Sequence, residues 1–259
     1  GSLLLRRALR AGGSAVNARG DSPVERVVVH VGPAAWSVAR LGPNALTVKR
    51  CTVTVGNGRK LAEQNAIAAD DEVRDVLGLE RRAVFARQPW MYSSSERAIT
   101  SSVSASYALT VQEKPGETTY LAIEDSDRLT VRLNGVDLRP VSAATPVHHD
   151  GLSSDADGWF YHDPAFRLFD ATAAIGAGRN VIELAWADYG VNDGLEWVYV
   201  VGNFAVRDAV VAKAQSLSLG EWTEQGLPYF TGSARYVATV ELSADNLRTD
   251  QPIHRPPIA

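Results

Sequence analysis

Residues 129–138 read LTVRLNGVDL, and this segment limits the fold more than any other. Leu129, Val131 and Leu133 fall on one face of an extended chain, and Val136 and Leu138 return on the same face after Asn134-Gly135. A two-residue type I′ turn needs positive φ at both central positions, which Asn and Gly tolerate, and its twist matches that of the flanking strands. The segment is therefore a β-hairpin with one buried face. Alternation dominates the readable segments and helical periodicity is scarce; further strands are expected at 26–31, 45–55, 104–111, 119–124, 180–186, 196–201 and 235–242. The expected class is mostly β, built of antiparallel strands as a jelly-roll β-sandwich. In 45–55 the apolar parity changes between Val48 and Cys51, so a bulge is expected there. One short helix is expected, capped by Asp70 or Asp71, with Val73, Val76 and Leu77 as its apolar stripe and Gly78 as its left-handed end.

A chain of 259 residues can bury a sizeable core or divide into two β-domains, and two is the preferred count. The formal net charge of −4 offers no basic stripe for nucleic acid or an anionic membrane, so neither is an expected partner. A single cysteine, Cys51, lies in a strand-like run and reads as a buried, inert thiol. The opening GSLLLRRALRA carries too short an apolar run for a membrane helix or a signal peptide. Polar residues 93–104 and the stretch 206–214 read as boundaries. The expected arrangement is a jelly roll at 95–207 inserted between framing β segments at 1–94 and 208–259, and two sequential domains would give similar local patterns.

Residues 220–242, GEWTEQGLPYFTGSARYVATVEL, resemble a signature of the β-sandwich regions of α-L-rhamnosidase-like and family 2-like bacterial glycoside hydrolases. VRLNGVDL at 131–138, FDATAAIGAGRNVIELAW at 169–186 and LEWVYVVGNFAV at 195–206 resemble the galactose-binding-like jelly roll of the same enzymes. The resemblance implies a carbohydrate-associated part of a large polysaccharide-degrading enzyme, secreted or periplasmic, with glycan and neighbouring domains as partners. No βα alternation long enough for that family's catalytic barrel is present. Catalysis is therefore expected outside this chain, and no catalytic residue is assigned. Glu196, Glu221 and Glu224 lie near aromatic residues and are the carboxylates from which a small self-contained glycosidase would have to draw its acid and base.

Flat aromatic rings stack on the apolar faces of sugars while nearby polar groups hold the hydroxyls. Trp159, Tyr161, His162, Asp188, Tyr189, Asn192 and Asp193 are the expected glycan platform, in loops rich in Asp and Gly. Trp186 and Trp197 sit on or at the ends of strands and are equally readable as core. Trp222, Tyr229 and Phe230 are readable as a second sugar surface, with packing around Gly226 and Pro228 the preferred reading. The run from His148 to Asp163 gathers oxygen and imidazole groups, and Asp155-x-Asp157-Gly158 matches half of a calcium loop. The closing bidentate Glu is absent, so a structural calcium at Asp155 and Asp157 competes with a plain solvated turn. A purely structural interdomain module that binds no sugar is the main alternative to glycan binding.

Overall fold

The computed structural model describes residues 2–6, 26–30, 36–56, 58–82, 87, 89–147 and 151–238. Its first strands are β1 (Ser2–Arg6), β2 (Arg26–His30), β3 (Trp36–Leu41), β4 (Asn44–Val48), β5 (Arg50–Val55) and β6 (Arg59–Asn65). Two helices follow, α1 (Ala66–Leu77) and α2 (Ser94–Arg97). Then come β7 (Ser101–Val111), β8 (Thr119–Glu124), β9 (Leu129–Leu133), β10 (Val136–Asp137), β11 (Ser153–Asp155) and β12 (Gly158–Phe160). The last are β13 (Phe166–Asp170), β14 (Gly178–Tyr189), β15 (Val198–Gly202), β16 (Ala205–Arg207), β17 (Val210–Ala212) and β18 (Ser233–Ala238). Of the expected strand at 235–242, residues 239–242 lie outside the described residues.

Two sheets form the body of the protein. One has six strands in the order β11-β12-β13-β8-β15-β4. The other has eight: β10-β9-β14-β7-β17-β16 in line, with β5 joined to β7 and β6 to β5. Their facing sides share one core, in which Leu46, Val48, Leu121, Ile123, Val198 and Val200 meet Val53, Val103, Tyr107, Leu133, Ile182 and Leu184. All pairings in this body are antiparallel except β17 with β7. A β-sandwich of mostly antiparallel strands is what alternation in the sequence predicts.

Asn134 and Gly135 take φ of 51° and 80°, both positive as a type I′ turn requires. Val136, expected to return to the core face, is instead exposed, because β10 is the outermost strand of its sheet. The parity change after Val48 has a different cause from the bulge expected. β4 pairs with β15 in the six-stranded sheet, and β5 pairs with β7 in the eight-stranded one. At Lys49 the chain passes from one sheet to the other, so the inward side reverses. The Lys49 carbonyl there accepts a bond from Ala66 N at 2.9 Å.

Helix α1 begins before Asp70. Asn65 is its N-cap, with Oδ1 accepting from Ile67 N at 3.0 Å, and Asp70 lies buried in the second turn. Gly78 ends the helix at φ 71°, as expected. The expectation of a single helix also needs correcting, since SSSE at 93–96 forms a capping box that starts α2.

The chain divides into two compact units, residues 40–216 with 220–234, and residues 1–39 with 217–219 and 235–259. The boundary expected at residue 95 is not where the division falls. β4, β5 and β6 belong to the same two sheets as β7 to β17, so residues 44–65 are part of the sandwich and do not frame it.

The six-stranded sheet is buried on both faces. Its outer face carries Ala45, Tyr120, Ala122, Leu168 and Val201, packed with Val141, Leu152 and Tyr161 from the connecting segments and with Trp159 of β12. This second layer of packing positions the site described next.

Candidate functional site

An open cavity of about 360 Å³ lies on the outer face of the six-stranded sheet. Ala45 and Thr47 of β4 and Tyr199 of β15 form its floor, because alternate residues of these paired strands point the same way. Phe166, at the start of β13, sets its ring edge-on to Tyr199 at 5.6 Å. Tyr161 and His162 enter from the turn between β12 and β13, their rings 4.1 Å apart. That turn is tightly held: Tyr161 N donates to Phe166 O at 3.0 Å and Asp163 N to Tyr161 O at 2.8 Å. It places His162 at φ 62°, an uncommon conformation for a residue with a side chain.

The opposite wall comes from a distant stretch of chain, Pro228, Tyr229, Phe230 and Thr231. His162 Nε2 and Thr231 Oγ1, 2.6 Å apart, close the rim between the two walls. The stretch is anchored by the preceding turn, where Leu227 N donates to Trp222 O at 3.0 Å and the Gly226 carbonyl accepts from Val206 N at 2.8 Å. Asn44 Nδ2 donates to the same carbonyl at 3.0 Å. Gly226 is required here, at φ 81°, since a Cβ would stand 2.7 Å from Ala205 Cβ. Burial pushes the Tyr161 and Tyr199 hydroxyls up from the usual phenol range; for Tyr199 the charge of Glu124 adds to the effect. The walls are thus aromatic and neutral, with imidazole and hydroxyl groups on the rim.

A second, smaller cavity of about 230 Å³ is polar and is lined by Arg82, Glu124, Arg128, Asn192, Asp193 and Glu196, among others. Beneath it runs a buried charge network. Asp70 accepts from Arg74 Nε and Arg82 Nε, both at 3.0 Å, from the amide of Leu195 at 2.9 Å and from the Tyr189 hydroxyl. Arg74, wholly buried, also donates to the carbonyls of Glu80 at 2.9 Å and of Asp193.

The expected platform residues separate. Tyr161 and His162 line the aromatic cavity, and Asn192 and Asp193 line the polar one. Asp188 is paired with Arg128 at 2.9 Å. Tyr189 is a correction: it is 0 % exposed and bonded to Asp70, so its ring cannot meet a ligand. Trp159 is half-buried, with Nε1 donating to Thr145 O at 2.9 Å, and packs on the outer face of the sheet. Trp186 is buried core, and Trp197 is half-buried with Nε1 bonded to Asn65 at 3.2 Å.

Asp155 is a second correction. Its carboxylate takes both Nη groups of Arg167, at 2.7 and 3.0 Å, and the amides of Asp157 and Gly158. The Arg167 guanidinium holds its carboxyl below the usual carboxylate range, and a calcium ion there would face that guanidinium. His148, His149 and Asp150 lie outside the described residues. Glu221 and Glu224 are exposed, and Glu196 is bonded to Arg82 at 2.7 Å.

Sequence reasoning missed Phe166, Tyr199 and Glu124 as site residues. An aromatic residue at an outward position of a strand was the available signal, but it gains meaning only once the strand order is known. Tyr229 and Phe230, for which packing is the preferred reading of the sequence and a second sugar surface the other, also face the cavity.

No family model matches the chain, and no curated protein matches it. Among solved structures the chain is similar to an alpha-L-rhamnosidase from Dictyoglumus thermophilum, at 9 % identity and a TM-score of 0.23. The match covers 82 % of this chain and 27 % of that one, so this chain spans well under two thirds of its length.

Proposed function

We propose that this chain is a non-catalytic β-sandwich portion of a larger, secreted or periplasmic glycoside hydrolase, and that it binds glycan in the aromatic cavity. One observation carries the reading: Tyr161, Phe166, Tyr199, Tyr229 and Phe230, from three separate stretches of sequence, surround one open cavity of about 360 Å³. Concave, largely apolar sites with a few polar groups on the rim are the usual form of small-ligand pockets. Flat rings suit the C–H faces of a pyranose, and His162 and Thr231 offer polar atoms for its hydroxyls. The resemblance of 220–242 to the rhamnosidase-like signature supports the same place, since Pro228 to Thr231 of that stretch form one wall.

An open cavity of this size covers only part of a sugar chain, so affinities from millimolar to high micromolar are expected, roughly −4 to −6 kcal/mol. The test is retention in gels that contain polysaccharide. Tyr199→Leu and Phe230→Leu keep apolar bulk but remove a flat ring, and each is expected to weaken retention while the melting temperature changes little. A broad glycan screen without signal for the intact chain would reject the reading.

A second reading is favoured by one feature. Trp90 is 74 % exposed and Met91 58 % exposed on the turn at 89–91, and large exposed apolar side chains side by side suit a face that braces a neighbouring domain. If the glycan screen is empty, this bracing role takes over.

A further inference from the structure

The aromatic cavity has a charged neighbour on the same sheet face. Phe166 of β13 stands directly opposite Glu124 of β8, and Tyr199 of β15 stands opposite Ala122, two residues before Glu124. Residues directly opposite on antiparallel strands share a face, with Cβ atoms roughly 4.5–5.5 Å apart. Glu124 therefore rises beside the aromatic floor, where it lines the smaller polar cavity.

The two arginines of that polar cavity are committed elsewhere. Arg82 bonds Asp70 at 3.0 Å and Glu196 at 2.7 Å, and Arg128 bonds Asp188 and Asp193, each at 2.9 Å. Among the described residues no ion pair reaches Glu124. Burial pushes its carboxyl up, and the charges of Glu196, Asp125 and Asp163 add to this against the pull of Arg82. A half-buried carboxylate in negative surroundings, next to the rings of Phe166 and Tyr199, is a place suited to a cation.

We infer that the glycan bound here carries a protonated amine, as in a 2-amino-2-deoxy sugar of the glucosamine type, with its ring on the aromatic floor and its ammonium beside Glu124. This rests on the glycan reading given above. A uronic acid would meet like charge at the same point, and a neutral hydroxyl would leave the carboxylate without a counter-charge.

The test is calorimetric titration of the full chain with a fully de-N-acetylated chito-oligosaccharide and with its N-acetylated counterpart of equal length. At low ionic strength the amine oligomer is expected to bind about tenfold more tightly, the scale of one added charge-assisted contact. Glu124→Gln should bring the two ligands within about twofold of each other. The preference of the unmodified chain should also shrink as salt is raised. Equal binding of the two oligomers overturns the amine assignment and leaves glycan binding standing, whereas binding of neither removes both. If exposed Glu221→Gln lowers the preference as much as Glu124→Gln does, net charge alone is responsible and the assignment falls.

Discussion

Replacing Arg74 by Met tests the buried charge network more severely than any change on the surface. The Arg74 side chain is 0 % exposed and its partner Asp70 is 2 % exposed. Besides Asp70, it donates to Glu80 O at 2.9 Å, to Val191 O at 3.4 Å and to Asp193 O. Methionine fills much of the same volume but leaves these acceptors dry. Breaking a buried pair by removing one partner costs about 3–5 kcal/mol, because the other charge stays behind uncompensated. Here Asp70 keeps Arg82, the Leu195 amide and the Tyr189 hydroxyl. The cost should therefore lie near the lower end, about 3 kcal/mol, or roughly 6–12 °C in melting temperature for a domain of this size. Urea unfolding at pH 7, followed by fluorescence, measures it directly, with an unchanged slope showing that the same surface unfolds. Arg50→Met is the control, since Arg50 and Glu63 have side chains 61 % and 62 % exposed and an exposed pair contributes less than about 1 kcal/mol. If Arg74→Met unfolds within about 1 kcal/mol of the parent chain, the network does not hold α1 to the end of β14 and the loop at 190–197 in the way these distances imply.

Two further outcomes follow from single positions. Gly226→Ala should lower the melting temperature by an amount equivalent to about 1–3 kcal/mol, since φ is 81° and the new Cβ would meet Ala205 Cβ at 2.7 Å. Gly116→Ala, which meets nothing within 4 Å, should leave it nearly unchanged, and equal shifts for the two would refute the close approach of the 222–227 turn. Burial, followed by the charge of Glu196, raises the folded-state pKa of Glu124. A raised carboxyl favours the folded state at low pH and loses that contribution as pH climbs through its folded pKa. Glu124→Gln should therefore melt higher than the parent chain at pH 7 and level with it near pH 3, and a difference of the same size at both pH values would contradict the assignment.

Much of the local structure is legible in the residues themselves. Asn134-Gly135 specifies its turn because few other pairs accept positive φ twice, and Gly78 ends α1 for the same steric reason. The unbroken apolar run Tyr120 to Ile123, between Thr119 and Glu124, marks β8 to the residue, as fits a short strand covered on both faces. Asn65 was a readable cap, overlooked because Asp70 and Asp71 offered the same chemistry closer to the apolar stripe. The parity change near Lys49 was visible as well, but a bulge and a crossing between sheets leave the same trace in one strand. Only pairing with β15 on one side and β7 on the other separates them.

The site belongs to the tertiary level. Tyr189 looks like an exposed loop aromatic, yet Asp70, more than a hundred positions away, draws its hydroxyl into the core. Tyr161 and Phe230 are far apart in the chain and meet because strand order brings β13 and β15 to one face, and because the turn at 222–227 packs Gly226 onto Ala205. Period and turn chemistry act between neighbours in sequence, so the sequence alone marks most of the strands, the Asn134-Gly135 turn and the end of α1 at Gly78. Which faces meet depends on how the two sheets bury their apolar sides together. That long-range packing decided which aromatic residues surround a cavity and which disappear into the core.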